Sequence, residues 1–143
     1  MKIDFSQLQQ AIEEIIPFNI VLGLKVLTLQ EGIAKIIMPY NSQLLGDVTR
    51  PALHGGAIAA MIDAAGGAAL YTLVKPADKI STIDMRVDYL RPAPKDNVIA
   101  VAEVRRAGNR VAVVNVIVTP EKSPEPVAEG KCVYSVKRVK ETE

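Results

Sequence analysis

The sequence predicts an α+β domain in which an antiparallel sheet wraps around one long helix. Three observations lead there. Residues 55–74 form an Ala- and Gly-rich apolar run of helix formers with few breakers. Valine-rich or alternating runs stand on both sides of it, two before and four after. The turns between those runs are short enough for antiparallel neighbours, which places the strands in one sheet around the helix.

Taken in order, the chain opens with MKIDFSQLQQ, which lacks the charged start and apolar core of a signal peptide, so a cytoplasmic location is expected. Leu8, Ile12, Ile15 and Ile16 recur at helical spacing among acids and predict an amphipathic helix over about 5–16, ended by Pro17. Residues 24–29 alternate like a strand. Gln30, Glu31 and Gly32 turn them into a second strand over 33–39, giving a hairpin. A loop through Asn41, Ser42 and Gln43 leads to GDVTRPALHGG, after which a helix over about 55–74 starts at or just after His54. Lys75, Pro76 and Asp78 break the chain. Then Ile83, Met85, Val87 and Tyr89 alternate with Asp84, Arg86 and Asp88, the pattern of a half-buried strand, stopped by Pro92 and Pro94. Residues 98–104 and 111–118 flank a turn at Gly108 and Asn109 and read as a hairpin. Ser123 to Pro126 forms another turn before a last strand over 127–139, and the polar tail 140–143 is expected to fray.

At 143 residues without repeats or linkers, residues 1–143 are expected to form a single domain. The hydrophobic share is 49% with only 4% aromatic residues and no Trp, so the core is built from aliphatic side chains. A net charge of +1 argues against a nucleic-acid protein. The single Cys132, in the alternating run KCVYSV, rules out an intrachain disulfide and reads as a small core residue. No metal-ligand spacing is present. The apolar run after His54 is nearly long enough to span a membrane, but Asp63 near its centre would cost about 2.5–3.5 kcal/mol and no aromatic belt flanks it.

Function concentrates between Gly46 and Leu73. His54, the only histidine, precedes Gly55 and Gly56 at the predicted helix start, where unsatisfied N–H groups and the positive end of the macrodipole favour an oxygen that gains negative charge. Asp63 lies nine positions on, roughly 13 Å along the axis. The two therefore cannot meet on one helix. Ala59, Ala60, Gly66 and Gly67 stack around Asp63 as a smooth strip that admits a backbone or a substrate, and a two-fold partner could bring its own helix start to Asp63. Taken singly, Asp63 could be a carboxylate that caps or pairs inside an interface, and His54 a satisfied loop histidine. Ser42, Ser81 and Ser123 lie in no G-x-S-x-G turn and are poor nucleophiles.

The motif HGG, an acid nine positions after the histidine, and the strand TIDMRVDYLRPA together resemble the hotdog-fold acyl-CoA thioesterases. The likeness is to the Asp-type, phenylacetate-degradation branch of the 4-hydroxybenzoyl-CoA thioesterase superfamily, and it covers roughly residues 19–139. It implies a curved sheet around the helix and a homodimer, with two dimers able to pair, whose protomers join their sheets and share active sites at the interface. By resemblance, the N–H of Gly55 polarises the thioester carbonyl and Asp63 of the partner chain activates water. His54 sits by the sulfur, Thr82 supplies a hydroxyl beside the acid, and neither metal nor cofactor takes part. Gly56 and the loop position Val48, where many relatives carry Asn, would lie against substrate. Arg91, Arg105, Arg106 and Arg110 are candidates for the coenzyme A phosphates, or are solvated turn residues. The missing Asn leaves a second expectation open: an acyl-CoA binding or regulatory hotdog domain without turnover.

Overall fold

The computed structural model describes residues 2–140, so residues 141–143 of the tail expected to fray lie outside the described residues. The N-terminal segment is helical but not one helix. α1 (Phe5–Gln10) passes into a single π turn over Ala11–Ile15, closed by the N–H of Ile16 on the carbonyl of Ala11 at 3.0 Å. Pro17, expected to end the helix, instead starts α2 (Pro17–Leu22), because the first helical position needs no N–H. α2 stops at Gly23, whose φ of 72° only glycine adopts without cost.

β1 (Lys25–Gln30) and β2 (Ile33–Met38) form the expected hairpin. Between β2 and the long helix lie a 3-10 turn (Ser42–Leu44) and two very short paired strands, β3 (Leu45–Asp47) and β4 (Ala52–Leu53). They are too short to show a period in the sequence. α3 (Gly55–Tyr71) ends before residue 74, at Thr72. The buried Thr72 hydroxyl donates to the carbonyl of Ala69 at 2.6 Å and accepts the N–H of Gly32 at 2.7 Å, tying the helix end to the β1–β2 turn.

β5 (Lys79–Tyr89), β6 (Val98–Ala107), β7 (Val111–Pro120) and β8 (Ala128–Lys137) complete a six-stranded antiparallel sheet in the order β1-β2-β6-β7-β8-β5. α3 touches β2, β5, β6, β7 and β8, so the sheet curves around it. The simple alternation expected through Ile83 fails. The β5–β8 register shifts between Thr82 and Asp84, Ile83 becomes the extra residue of a bulge, and it stands 57% exposed. The bulge puts Ile80 and Thr82 on the same inner face as Met85, Val87 and Tyr89, since these five pair with the inward residues of β8.

Small residues let helix and sheet approach closely. A Cβ on Gly66 of α3 would overlap the Tyr134 hydroxyl, and one on Gly130 of β8 would overlap Cγ2 of the fully buried Ile62. Gly130→Ala is expected to cost about 1–3 kcal/mol in urea unfolding, and less than that in an Ile62→Ala background, where the space exists.

Asp78, buried in the α3–β5 connection, accepts the N–H of Val139 at 3.1 Å, the N–H of Lys75 at 3.1 Å and Nη1 of Arg138 at 3.1 Å. The Val139 bond first of all holds its carboxyl below the usual carboxylate range, outweighing burial, with Lys75 and Arg138 adding to it. A lowered folded-state pKa stabilises the fold above the unfolded value near 3.9 and loses that contribution as pH falls through the folded value. Asp78→Asn is therefore expected to unfold at lower urea than wild type at pH 7, with the gap closing in acid below about pH 4.

Candidate active site

The N-terminus of α3 is shaped by His54, whose own N–H bonds the carbonyl of Leu44 at 2.7 Å. As N-cap, its Nδ1 accepts the N–H of Gly56 at 2.7 Å, so the neutral ring carries its proton on Nε2. Of the two glycine amides expected to be bare, that of Gly56 is thus spent on the cap. Among the described residues the N–H of Gly55 has no acceptor, and it opens the helix where the dipole is positive. Tyr89 lies across this residue: its hydroxyl donates to the carbonyl of Gly55 at 2.7 Å. A cavity of about 440 Å³ beside them is bounded by Leu53, Gly55, Ile58, Tyr89 and Arg91. Arg91 is anchored there by the carbonyl of Pro126 at 2.9 Å and by Glu125 at 3.2 Å.

The second centre is Asp63. Thr82 Oγ1 donates to its Oδ1 at 2.8 Å, so the structure brings these two expected residues together. The Tyr134 hydroxyl donates to the Asp63 carbonyl at 2.8 Å and also reaches Oδ1 at 3.4 Å. Oδ2 has no protein donor among the described residues. Burial, foremost, pushes the Tyr134 phenol well above its ordinary range, so it stays an O–H donor. Burial likewise pushes the neighbouring Cys132 thiol up to about 11, which leaves it protonated and removes it as a nucleophile. Asp63 and Thr82 open onto a mainly apolar cavity of about 550 Å³ between α3 and the N-terminal helical segment. The smooth strip divides: Gly66 faces Tyr134 and the sheet, while Gly67 faces this cavity.

Two tyrosines were not singled out by the sequence reading as site residues. Tyr134 follows Asp63 by 71 positions, and the only trace of their contact is a glycine inside a helix, which demands a close neighbour without saying which. Tyr89 carries only the alternating signal of a strand residue.

The remaining expected residues are scattered. Val48 is 81% exposed at the β3–β4 loop, and the Asp47 carboxylate beside it is engaged within the loop. Its Oδ1 takes the Thr49 hydroxyl at 2.7 Å and the N–H groups of Thr49 at 2.9 Å and Arg50 at 3.1 Å. Those bonds, the hydroxyl's first, lower its carboxyl to about 2. Arg106 and Arg110 lie by the β6–β7 turn. That is the end of the sheet where α3 finishes, since Val104 bonds Gly32 and Gly32 bonds Thr72. Within one chain they are remote from Gly55, and Arg105 pairs with Glu103 at 3.2 Å. Gly55 and Asp63, eight residues apart on one helix, are separated by roughly 12 Å along its axis. A single chain cannot offer both to one carbonyl. No helix among the described residues is long and apolar enough to cross a membrane.

A family model described as the thioesterase superfamily matches residues 51–127. The Halobacterium salinarum protein VNG_1336C is 39% identical over 130 residues, 82% of either chain. The medium/long-chain acyl-CoA thioesterase YigI of Salmonella typhimurium is 33% identical over 113 residues, 70% of this chain and 73% of its own. The crystal structure of a thioesterase family protein from Silicibacter pomeroyi shares the fold, with a TM-score of 0.84 at 22% identity over 94% of this chain and 98% of that one. A model match over more than half the sequence, and relatives this similar over this much of the chain, make the protein a member of the thioesterase superfamily, a thioesterase on the hotdog fold.

Proposed function

We propose that the protein hydrolyses acyl-CoA thioesters with water as the nucleophile, as an Asp-type member of the phenylacetate-degradation branch, in a homodimer whose two sites each combine both protomers. The observation that carries this reading is the carboxylate of Asp63, steadied through Oδ1 by Thr82 and Tyr134 with Oδ2 open beside an apolar cavity. Such a group is an oriented general base. The name of the YigI relatives, medium/long-chain acyl-CoA thioesterase, supports the acyl-CoA class.

In the proposed step Oδ2 of Asp63 takes a proton as the water oxygen bonds the thioester carbon. The carbonyl oxygen gains charge against the N–H of Gly55 of the partner subunit, aided by the α3 dipole. A single donor of this kind is worth about 10²–10³ in rate. Collapse of the tetrahedral intermediate breaks the C–S bond, and the proton held by Asp63 passes to the departing thiolate. Nε2–H of His54 stands beside the sulfur, and Arg91 beside the phosphates of coenzyme A.

The free edge of the sheet supports the shared site. β5 has β8 on one side only, and an unpaired edge of 11 residues is a ready template for another strand. Thr82, which contacts Asp63, and Tyr89, which contacts Gly55, lie on this strand. Antiparallel pairing of two β5 strands about an axis near Met85 and Arg86 sets Thr82 of one chain next to Tyr89 of the other, one strand spacing of about 4.8 Å away. Asp63 then faces the partner's Gly55.

Gly55→Pro removes the N–H at a first helical position, and His54, with ψ 131°, already has the backbone that precedes a proline. Its Cβ would lie 3.3 Å from the Tyr89 ring, so Gly55→Ala, which adds the same Cβ and keeps the N–H, is its control. Gly55→Pro and Asp63→Asn are each expected to lower kcat for release of thiol from acyl-CoA by 10²-fold or more, on the order of one lost oxyanion donor or base. Mixed and refolded together, the two inactive variants should recover about a quarter of wild-type activity, since half of the dimers are mixed and each holds one intact site. No recovery would overturn the shared site. Thr82→Val, which keeps the shape and loses the donor, is expected to lower kcat about 10- to 100-fold with KM little changed, as measured in the same assay.

A further inference from the structure

We propose, building on Asp63 as the water-activating base, that the cavity beside it is the acyl-chain subsite, and that Gly67 and Tyr71 set the length of chain it takes. Asp63, Gly67 and Tyr71 follow one another at four-residue steps on a single face of α3, and all three bound the cavity. The chemistry sits at one end of this line. Tyr71 stands roughly 12 Å further along the axis. Between them a Cβ on Gly67 would meet nothing within 4 Å, so the helix surface there is left open where any larger side chain would fill the passage.

The opposite wall comes from the N-terminal segment, which lies along α3. Lys2 pairs with Glu31 at the β1–β2 turn, the turn that Thr72 holds at the end of α3. Glu13 accepts the N–H of Val26 at 2.9 Å, near the start of β1. Ile3 therefore closes the cavity at the Tyr71 end, and Ile12 and Asn19 flank it nearer Asp63. Asn19 is only 7% exposed and bounds the cavity.

The volume of about 550 Å³ lies within the range of sites for small molecules. An extended hydrocarbon built from bonds of about 1.5 Å advances about 1.25 Å per carbon, so 12 Å holds roughly eight to ten carbons. A straight acyl group of medium length fits this run from Asp63 to Tyr71.

The test measures thiol release by the full-length protein from butanoyl-, hexanoyl-, octanoyl-, decanoyl-, dodecanoyl- and hexadecanoyl-CoA. Wild type should peak in kcat/KM at octanoyl to decanoyl. Gly67→Leu, which improves helix propensity and enters open space, should keep butanoyl turnover and lose decanoyl turnover by about 10-fold or more. Tyr71→Ala should move the optimum the other way, to dodecanoyl or longer. A Gly67→Leu profile that keeps the wild-type shape, or a Tyr71→Ala profile that does not lengthen, would overturn the assignment. Full activity in Asp63→Asn would instead remove the base on which the assignment rests, whatever the chain-length profiles show.

Discussion

The Tyr134 hydroxyl on the carbonyl of Asp63 is the contact on which the rest depends, because it locks helix to sheet at the residue proposed as the base. A tyrosine at the centre of β8 reaches the α3 backbone only if the helix presents no side chain in between, hence Gly66. The bulge in β5 then brings Thr82 to the same carboxylate from the neighbouring strand. The Thr82 hydroxyl holds one carboxylate oxygen, the Tyr134 hydroxyl lies 3.4 Å from the same atom, and the other oxygen is left available. An isolated carboxylate in so apolar a setting would carry a large desolvation penalty, and these bonds offset part of it while fixing its direction.

The two ends of α3 differ in character. Its start, capped by His54 and braced by Tyr89, leaves the N–H of Gly55 without an acceptor among the described residues. Its later turns, lined with alanine and glycine, border the apolar cavity. Gly55 and Asp63 stand too far apart on the helix for one chain to bring both to one substrate, and the proposed pairing of β5 edges is what would join them.

Much of this was legible in the amino acids. The six strands of the main sheet, the β1–β2 and β6–β7 hairpins and the HGG start of α3 all follow from period and turn chemistry, because each is a local property. Pro17 was misleading: proline marks a helix start as readily as an end, and only packing of Leu22 and Asn19 decides which. Ile83 misled for another reason, since a bulge is a relation between two strands and β8 had to be in place before the extra residue of β5 could be recognised. The same holds for Tyr134 and Tyr89, whose partners lie far away in sequence. His54 and Gly56 were read as independent parts of a binding surface, yet one satisfies the other, and which amide survives is a matter of side-chain geometry that spacing does not encode.

The spare residue in β5 has an implication for how this scaffold can diversify. With Thr82 paired to Tyr134 on one side of it and Asp84 paired to Val133 on the other, Ile83 can be lost without moving any neighbouring pair out of phase. What would change is the local coiling of the strand, which bulges increase. Length variation at this single point is thus a means of reshaping the entrance between strand and helix in descendants of the same gene while the acid and its hydroxyl remain in step.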